Sequence, residues 1–540
     1  MTIQSHPLRF VLLAALLLAL AALPLRVATA QDGGPTPTPA TETGTIFPEG
    51  SGGIVVEQAL VEELAVDSTS GYLIYFSEEP DLSPAYSMDW EARGEFVVQA
   101  LQETAERSQA EVRAYLDAQG IPYESFWAEN VIAVDRSNVS TLNGLMAFDG
   151  IESLGARFSV EVGETEVVEV QANAAIDAVQ ENISHVEADQ VWTYEGADGT
   201  GIVVANIDSG VLYTHETLVS QYRGNLGSGS FSHSYNWLDP VTGSTVPTDT
   251  LGHGTHTMGI MVGKNATYQT GMAPGAKWIA CAACSGLGTC TDTNVLTCGQ
   301  WVLAPYPSGA PGSADSSKRP DVVNNSWGKG ATSNTWYQST VNAWVAAGIY
   351  PVFSQGNCSS TDPCSAEAPP TCSSVSSPAR YGNVTAVGST GNHDGAYAYH
   401  SVWGPSDMAD TTNPNGYPLL KPQVVAPGVS ILSAYKNSNS SYAYMTGTSM
   451  SAPHVAGLVA LIWDAAPRLR GNYAATESII EQTANAIAFD TGCSVAGPGN
   501  VPNCATGWGE IDARAAVKAA QEYTYGEYDY LPWITKGWAE

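Results

Sequence analysis

The chain is short of basic residues, with 21 Lys+Arg against 54 Asp+Glu and a formal net charge of −33. A surface this anionic repels nucleic-acid phosphates and anionic lipid, so neither is an expected partner, and the excess charge reads as solubility. Cysteine is missing from everything before Cys281, and all nine cysteines lie between Cys281 and Cys504. Long apolar runs are also missing. The best, Phe10 to Leu23, spans about 14 residues and ends at Pro24, short of the ~20 needed to cross a bilayer. No H-E-x-x-H occurs, and His215-Glu216 lacks a second His at the required spacing, which removes that class of zinc protease.

What is present is 540 residues with 44% apolar content, 53 Gly and 31 Pro, too long for one domain and rich enough for a sizeable core. His6 and Arg9, the apolar run and the small triplet Ala28-Thr29-Ala30 make a secretory signal peptide over 1–30, so a secreted, extracellular product without a membrane anchor is expected. In an exported protein the nine cysteines read as disulfides with one left over. Cys281 with Cys298 and Cys284 with Cys290 are the expected pairs, because short loops near one strand end bring their chains together. Cys281-x-x-Cys284 has no matching Cys or His pair nearby for zinc.

Composition divides the rest. A Thr/Pro/Gly-rich stretch from Pro35 gives an extended linker over 31–70. From Gly71, strand-like Tyr72 to Phe76, an amphipathic helix from Phe96 to Gly120, and strand-like Tyr123 to Val134 and Phe158 to Val162 make a small α+β unit over 71–165. A polar, Ala-rich connection covers 166–185, a larger domain 186–522, and an acidic aromatic tail 523–540. In the larger domain, short apolar runs (Ile202 to Ile207, Trp278 to Ala283, Asp321 to Asn324, Ile349 to Phe353, Val384 to Val387) alternate with helical stretches (Trp336 to Ala347, Ser451 to Trp463, Ala513 to Glu522). That alternation predicts an α/β fold with a doubly wound parallel sheet, whose active site lies at the C-terminal strand ends.

Three motifs carry chemistry. In Val203-Val-Ala-Asn-Ile-Asp208-Ser-Gly210 an apolar strand delivers a carboxylate beside a Gly turn. In Gly252-His253-Gly254-Thr255-His256 an imidazole stands between glycines that allow close approach of another segment. In Gly447-Thr-Ser449-Met-Ser-Ala-Pro453-His454-Val-Ala-Gly457 a serine opens an apolar helical run, where a free N–H and the positive helix end flank its hydroxyl. Each alone has a bland reading as a turn, a structural His or an N-cap. Together they supply a hydroxyl nucleophile, an imidazole to take its proton and a carboxylate to orient that imidazole.

These three motifs, in the order Asp208, His253, Ser449, resemble the signatures of the subtilisin-like serine proteases. Pro320-Asp-Val-Val-Asn-Asn-Ser-Trp-Gly328, with Trp301 to Pro305 before it and Val341 to Trp344 after it, is similar to the bacillopeptidase F branch. The resemblance covers about Asp189 to Val517, and Tyr72 to about Val162 more weakly resembles the inhibitor-like propeptide of these enzymes. It implies Ser449 as nucleophile, His253 as general acid/base, Asp208 as orienting carboxylate and Asn357 as oxyanion-hole donor. It further implies Ser326, Trp327 and Gly328 as a substrate-binding edge strand, with Ser376, Ser377 and Pro378 on the pocket's far side. His256 and His454 match structural positions, and Gln355 stands where the family has Ala or Ser. The implied protein is a monomeric endopeptidase acting on proteins or peptides. It needs no cofactor for chemistry, its loops permit structural calcium with no ligands assignable, and its own propeptide is its intramolecular inhibitor. Maturation is expected between about Glu166 and Ile183. The acid-acting sedolisin pattern is contradicted by His253 and Asn357; the competing class is a catalytically inactive binding protein on the same fold.

Overall fold

Alternation of fully buried strands with helices builds the larger domain around a seven-stranded sheet. The computed structural model describes residues 53–163, 166–170, 178–332, 335–359, 364–406, 419–493 and 497–524. The signal peptide, the linker up to residue 52 and the tail from 525 lie outside the described residues.

The small domain runs β1 (Val55–Val56), α1 (Gln58–Val66), β2 (Thr69–Phe76), α2 (Trp90–Ser108), α3 (Ala110–Gln119), β3 (Tyr123–Phe126), β4 (Val131–Asn138), α4 (Val139–Leu145) and β5 (Ile151–Ala156). Its five-stranded sheet has the order β1-β5-β2-β4-β3 and is antiparallel except for β1 with β5. The domain therefore starts earlier than composition implied. Leu60 and Leu64, one helical turn apart in the expected linker, are buried in its core. The single expected helix is two, broken at Gln109, whose buried side-chain amide donates to the Phe126 carbonyl at 3.0 Å and Asn130 Oδ1 at 2.9 Å. The single expected strand from Tyr123 is a hairpin that turns through Asn130 at φ 50°, a conformation Asn tolerates.

Two strands leave that domain: β6 (Ser159–Val162) and β7 (Glu166–Glu169). The larger domain follows with β8 (Val203–Asp208), β9 (Trp237–Leu238), α5 (His253–Val262), β10 (Lys277–Ala282), β11 (Thr289–Thr291), α6 (Asp292–Leu303), β12 (Val322–Asn325), β13 (Trp327–Gly328), α7 (Gln338–Ala346) and β14 (Tyr350–Ser354). Then come β15 (Thr385–Thr390), β16 (Val424–Pro427), β17 (Ile431–Tyr435), β18 (Ser441–Thr446), α8 (Thr448–Ala465), α9 (Tyr473–Thr483) and α10 (Ala513–Glu522). The main sheet, β9-β10-β8-β12-β14-β15-β16, is parallel throughout, as the alternation predicted. Sixteen of the 18 residues of α8 are buried, the mark of a helix through the middle of a core.

Four disulfides staple this domain: Cys281–Cys298, Cys284–Cys290, Cys358–Cys364 and Cys372–Cys493. The first two are the expected pairs, and Cys504, the ninth cysteine, is buried outside the four bridges.

The small domain grips α7 at both ends. Glu129 accepts from the N–H groups of Ser339 at 3.3 Å and Thr340 at 2.8 Å and from the Thr340 hydroxyl at 2.7 Å, capping the helix N-terminus. Arg93 donates to the carbonyls of Val345 at 2.7 Å, Ala346, and Gly471 at 3.0 Å, capping the C-terminus. The guanidinium groups of Arg319 and Arg470 lie over the Trp90 ring, 4.0 and 4.4 Å from its centre.

Candidate active site

The sheet sets the first member. Asp208 ends β8, where parallel pairing with β10 stops at Ala282, and its carboxylate is 1% exposed. Oδ1 accepts from the Ser209 N–H at 2.6 Å. His253, also 1% exposed, donates from Nδ1 to Oδ1 at 2.8 Å and stands 2.9 Å from Oδ2. Thr257, one turn along α5, donates its hydroxyl to Oδ2 at 3.3 Å. The imidazole therefore carries its proton on Nδ1 and presents Nε2 as a base. Gly254 makes the approach possible: a methyl group there would lie 2.1 Å from the Gly210 carbonyl oxygen and 3.1 Å from Asp208 Cβ.

Sequence reasoning missed the residue that fixes the start of α5. Asp249 Oδ1 accepts from the N–H groups of Leu251 at 3.0 Å and Gly252 at 2.7 Å, and Oδ2 from the N–H and hydroxyl of Thr255 at 2.8 and 2.6 Å. Ser209 bridges it to the Asp208 turn, donating to Asp249 at 2.9 Å and accepting from the Gly254 N–H at 3.0 Å. The cap position itself is Gly252, and Asp249 lies three residues before it, outside the ordinary cap pattern.

Ser449 sits in the first turn of α8. Its hydroxyl donates to the Ser326 carbonyl at 3.3 Å, and His253 Nε2 has no hydrogen-bond partner among the described residues. The structure thus joins Asp208 to His253, while the Ser449 hydroxyl is turned to the Ser326 carbonyl and makes no hydrogen bond to the base. Asn357 is held by Thr448, which donates both its N–H and its hydroxyl to Asn357 Oδ1 at 2.9 Å. With Oδ1 engaged, Nδ2 faces the cleft. Thr448, adjacent to Ser449, was not anticipated as a positioning residue.

Trp327 and Gly328 of the expected edge strand form β13, which pairs with a strand leaving the small domain. β6 lies between β11 and β13, antiparallel to both, with Thr289 opposite Glu161, Cys290 opposite Val160, Trp327 opposite Val162 and Gly328 opposite Glu161. The Val162 N–H donates to the Gly288 carbonyl at 2.9 Å. Arg157 enters the cleft through a bidentate pair with buried Asp292, at 2.8 and 2.7 Å. Ser326 donates its hydroxyl to the Ser449 carbonyl at 2.9 Å, while the Trp327 indole donates to the Ile207 carbonyl at 3.0 Å. The next residue, Gly163, stands at the centre: a methyl on its α-carbon would lie 2.6 Å from Asn357 Nδ2 and 3.7 Å from Ser449 Oγ. Beyond it, β7 pairs antiparallel with β18, Glu166 opposite Thr446, so these four residues of the expected 166–185 connection form a strand and not an open linker. Residues 171–177 lie outside the described residues.

The matching family profile is that of the subtilase family, over residues 199–509, more than half of the chain. The chain belongs to the subtilase family. Bacillopeptidase F of Bacillus subtilis (strain 168) is 35% identical over 446 residues, 79% of this chain and 29% of the relative. A thermophilic serine proteinase of Bacillus sp. (strain AK1) is 30% identical over 305 residues, 56% of this chain and 60% of the relative. An extracellular protease of Xanthomonas campestris pv. campestris is 30% identical over 353 residues, 61% of this chain and 53% of the relative. The chain thus spans between under a third and three fifths of these three proteins, and its similarity supports the bacillopeptidase F-like branch.

The other two motif histidines are buried in the subtilase core. His256 Nε2 lies 3.0 Å from the carbonyls of Ile431 and Ala443, and burial pushes its pKa down to about 3. His454 donates from Nδ1 to the Met450 carbonyl at 2.8 Å and accepts from Asn182 at 2.8 Å, with burial lowering it to about 4. Gln355 is completely buried. Among the described residues no group of three or more His, Cys, Asp or Glu side chains is gathered to hold a metal ion, and no helix is long and apolar enough to cross a membrane.

Proposed function

We propose that the protein is a secreted serine endopeptidase made as an inactive precursor. Ser449 is the nucleophile, His253 the general acid/base, Asp208 the orienting carboxylate and Asn357 an oxyanion donor. The observation that carries this reading is Gly163, the residue after β6: a methyl on its α-carbon would lie 2.6 Å from Asn357 Nδ2 and 3.7 Å from Ser449 Oγ.

In the reaction, Ser449 Oγ turns from the Ser326 carbonyl to His253 Nε2, gives up its proton there and attacks the peptide carbonyl. Asp208 holds the Nδ1 proton and stabilises the imidazolium. Negative charge on the tetrahedral oxygen meets Asn357 Nδ2 and the Ser449 backbone N–H; one such donor is worth about 3 to 4 kcal/mol. His253 then protonates the leaving amine. Ser326, Trp327 and Gly328 hold the substrate by backbone pairing, so extended proteins or peptides are the substrates.

The small domain is the propeptide and its own first substrate. β6 occupies the substrate edge, and the cut follows Gly163, upstream of the 166–183 window that composition favoured. After the cut, β6 stays as a product-like inhibitor until the small domain leaves. The chemistry uses no cofactor.

A reagent that labels active-site serines separates this reading from an inactive binding protein. The matured chain should take up one equivalent and Ser449→Ala none; no uptake by the wild type would establish the inactive protein instead.

A further inference from the structure

We propose that Asp292, Trp336 and Lys329 form a binding site on the larger domain for a basic residue followed by an aromatic one, far upstream of the bond to be cut. The enzyme therefore prefers substrates that carry this pair at the seventh and sixth residues before the cut. This rests on the protease reading above and adds the substrate class.

The chain's own Arg157 and Phe158 fill the site. They are the two residues between β5, which belongs to the small domain's sheet, and β6, which pairs with β11 and β13 of the larger domain. Counting Gly163 as the first residue before the cut, Phe158 is the sixth and Arg157 the seventh. The register carries up to them: Thr291 lies opposite Ser159, and the Asp292 N–H donates to the Phe158 carbonyl at 3.1 Å. A substrate laid along the same edge puts its corresponding residues at the same points.

Arg157 is held mainly from across the cleft. Its Nε donates to Asp292 Oδ2 at 2.8 Å and its Nη2 to Oδ1 at 2.7 Å, the fork that a neutral side chain cannot copy. Nη2 also reaches the Thr293 hydroxyl at 3.3 Å, whereas the contact with its own domain, Nη1 to the Val134 carbonyl, is longer at 3.4 Å. The Asp292 side chain is 1% exposed, and among the described residues Arg157 is the one cation within ion-pair distance of it. When the small domain leaves, Asp292 is a carboxylate without its cation at the end of the substrate edge.

Phe158 meets a ring and a charge. It packs edge to face with Trp336, 4.7 Å between centres and 68° between planes, and Lys329 Nζ lies 4.2 Å from its ring centre. Trp336 is buried and packs on Trp327 and Tyr337, while the Lys329 N–H donates to the Ser377 carbonyl at 2.9 Å. The site thus stands on the framework of the edge strand, and its two halves use different physics, so each is tested by itself.

The test uses matured enzyme and the acetylated peptide Arg-Phe-Ser-Val-Glu-Val-Gly-Glu-Thr-Glu, with Arg replaced by Gln or Glu, or Phe by Ala. Every kcat/KM is divided by that for the peptide shortened to begin at Ser, so a general loss of activity cancels. Wild type should favour Arg over Gln by about 10-fold, the low end for a charged hydrogen bond, and Phe over Ala by about 3-fold. Asp292→Asn should bring the ratio of Arg to Gln to about one, and Asp292→Lys should favour Glu. Lys329→Gln should lower the ratio of Phe to Ala and keep the preference for Arg. Equal cleavage of the Arg, Gln and Glu peptides by wild type, equal cleavage of the Phe and Ala peptides, or a preference for Arg retained in both Asp292 variants overturns the inference and leaves the protease reading intact. The wild-type ratios decide even where a variant fails to mature. A chain that cleaves none of the peptides and takes up no serine reagent overturns both.

Discussion

Residues 53–163 contain no cysteine and no histidine, while residues 178–524 contain all nine cysteines and eight of the nine histidines. The small domain rests on one sheet and its own modest core around Leu60, Ile74 and Leu116, with Leu73 on the other face packed in a cluster shared with the larger domain. The larger domain has four bridges and seven fully buried tryptophans, Trp237, Trp278, Trp301, Trp327, Trp336, Trp344 and Trp463. One region is built to persist in an oxidising medium, and the other is built without covalent support, leaning on its partner through Trp90, Arg93 and Glu129. The division matches a precursor in which one part is discarded.

The largest effect should come from Ser449→Ala, which removes the proposed nucleophile; turnover should fall by about 10⁶ with the fold unchanged. Peptide hydrolysis and tryptophan fluorescence, measured side by side, check it.

Acid comes next, and it should strike only the region with histidines. Burial lowers His256 to about 3 and His454 and His400 to about 4. These bases stay neutral in the folded state and take up protons on unfolding. Each histidine should therefore subtract up to about 1.4 kcal/mol per unit as pH drops from 6.5 to 4, against an opposing gain from the buried carboxyl of Glu477, pushed up to about 7 by burial. Urea unfolding followed by the buried tryptophans should show the midpoint dropping over that range, and an unchanged midpoint would mean that the histidines do not outweigh the buried carboxyls.

The bridges sharpen the contrast further. Replacing Cys372 and Cys493 with serine opens a closure of 121 residues and should cost about 4 to 5 kcal/mol on the chain-entropy estimate. Arg93→Ala then tests how the small domain holds on. Losing its charged bonds to Val345, Ala346 and Gly471 should weaken inhibition by added small domain by about 2 to 3 kcal/mol, read as an inhibition constant. The smallest effect belongs to Arg136→Ala, whose exposed pair with Asp67 at 2.7 Å should contribute within about 1 kcal/mol.

The parallel sheet was legible because buried strands are short apolar runs, and five of its seven strands fall within two or three residues of the expected bounds. β9 and β16 were missed; two and four residues long, they carry no readable period. The triad candidates and Asn357 were legible because each sits in a motif. Asp249 and Thr448 were not singled out, since a cap and a side-chain clamp look like ordinary polar residues until their partners are known. The helix α1 was hidden by the Thr/Pro/Gly texture before it. Gly163 and Ser449 are more than 280 positions apart in the chain, and their meeting depends on the register of β6 with β11 and β13, which local composition does not encode.

The central claim is that the small domain lies across the site as substrate and is cut after Gly163 by the chain's own Ser449. Wild type and Ser449→Ala precursors, purified without other proteases and sequenced from their N-termini over time, test it most directly. The account predicts a new N-terminus at Glu164 in wild type and none in Ser449→Ala. The same new terminus appearing equally fast in Ser449→Ala, or a wild-type cut elsewhere with the Gly163 bond left whole, would contradict it.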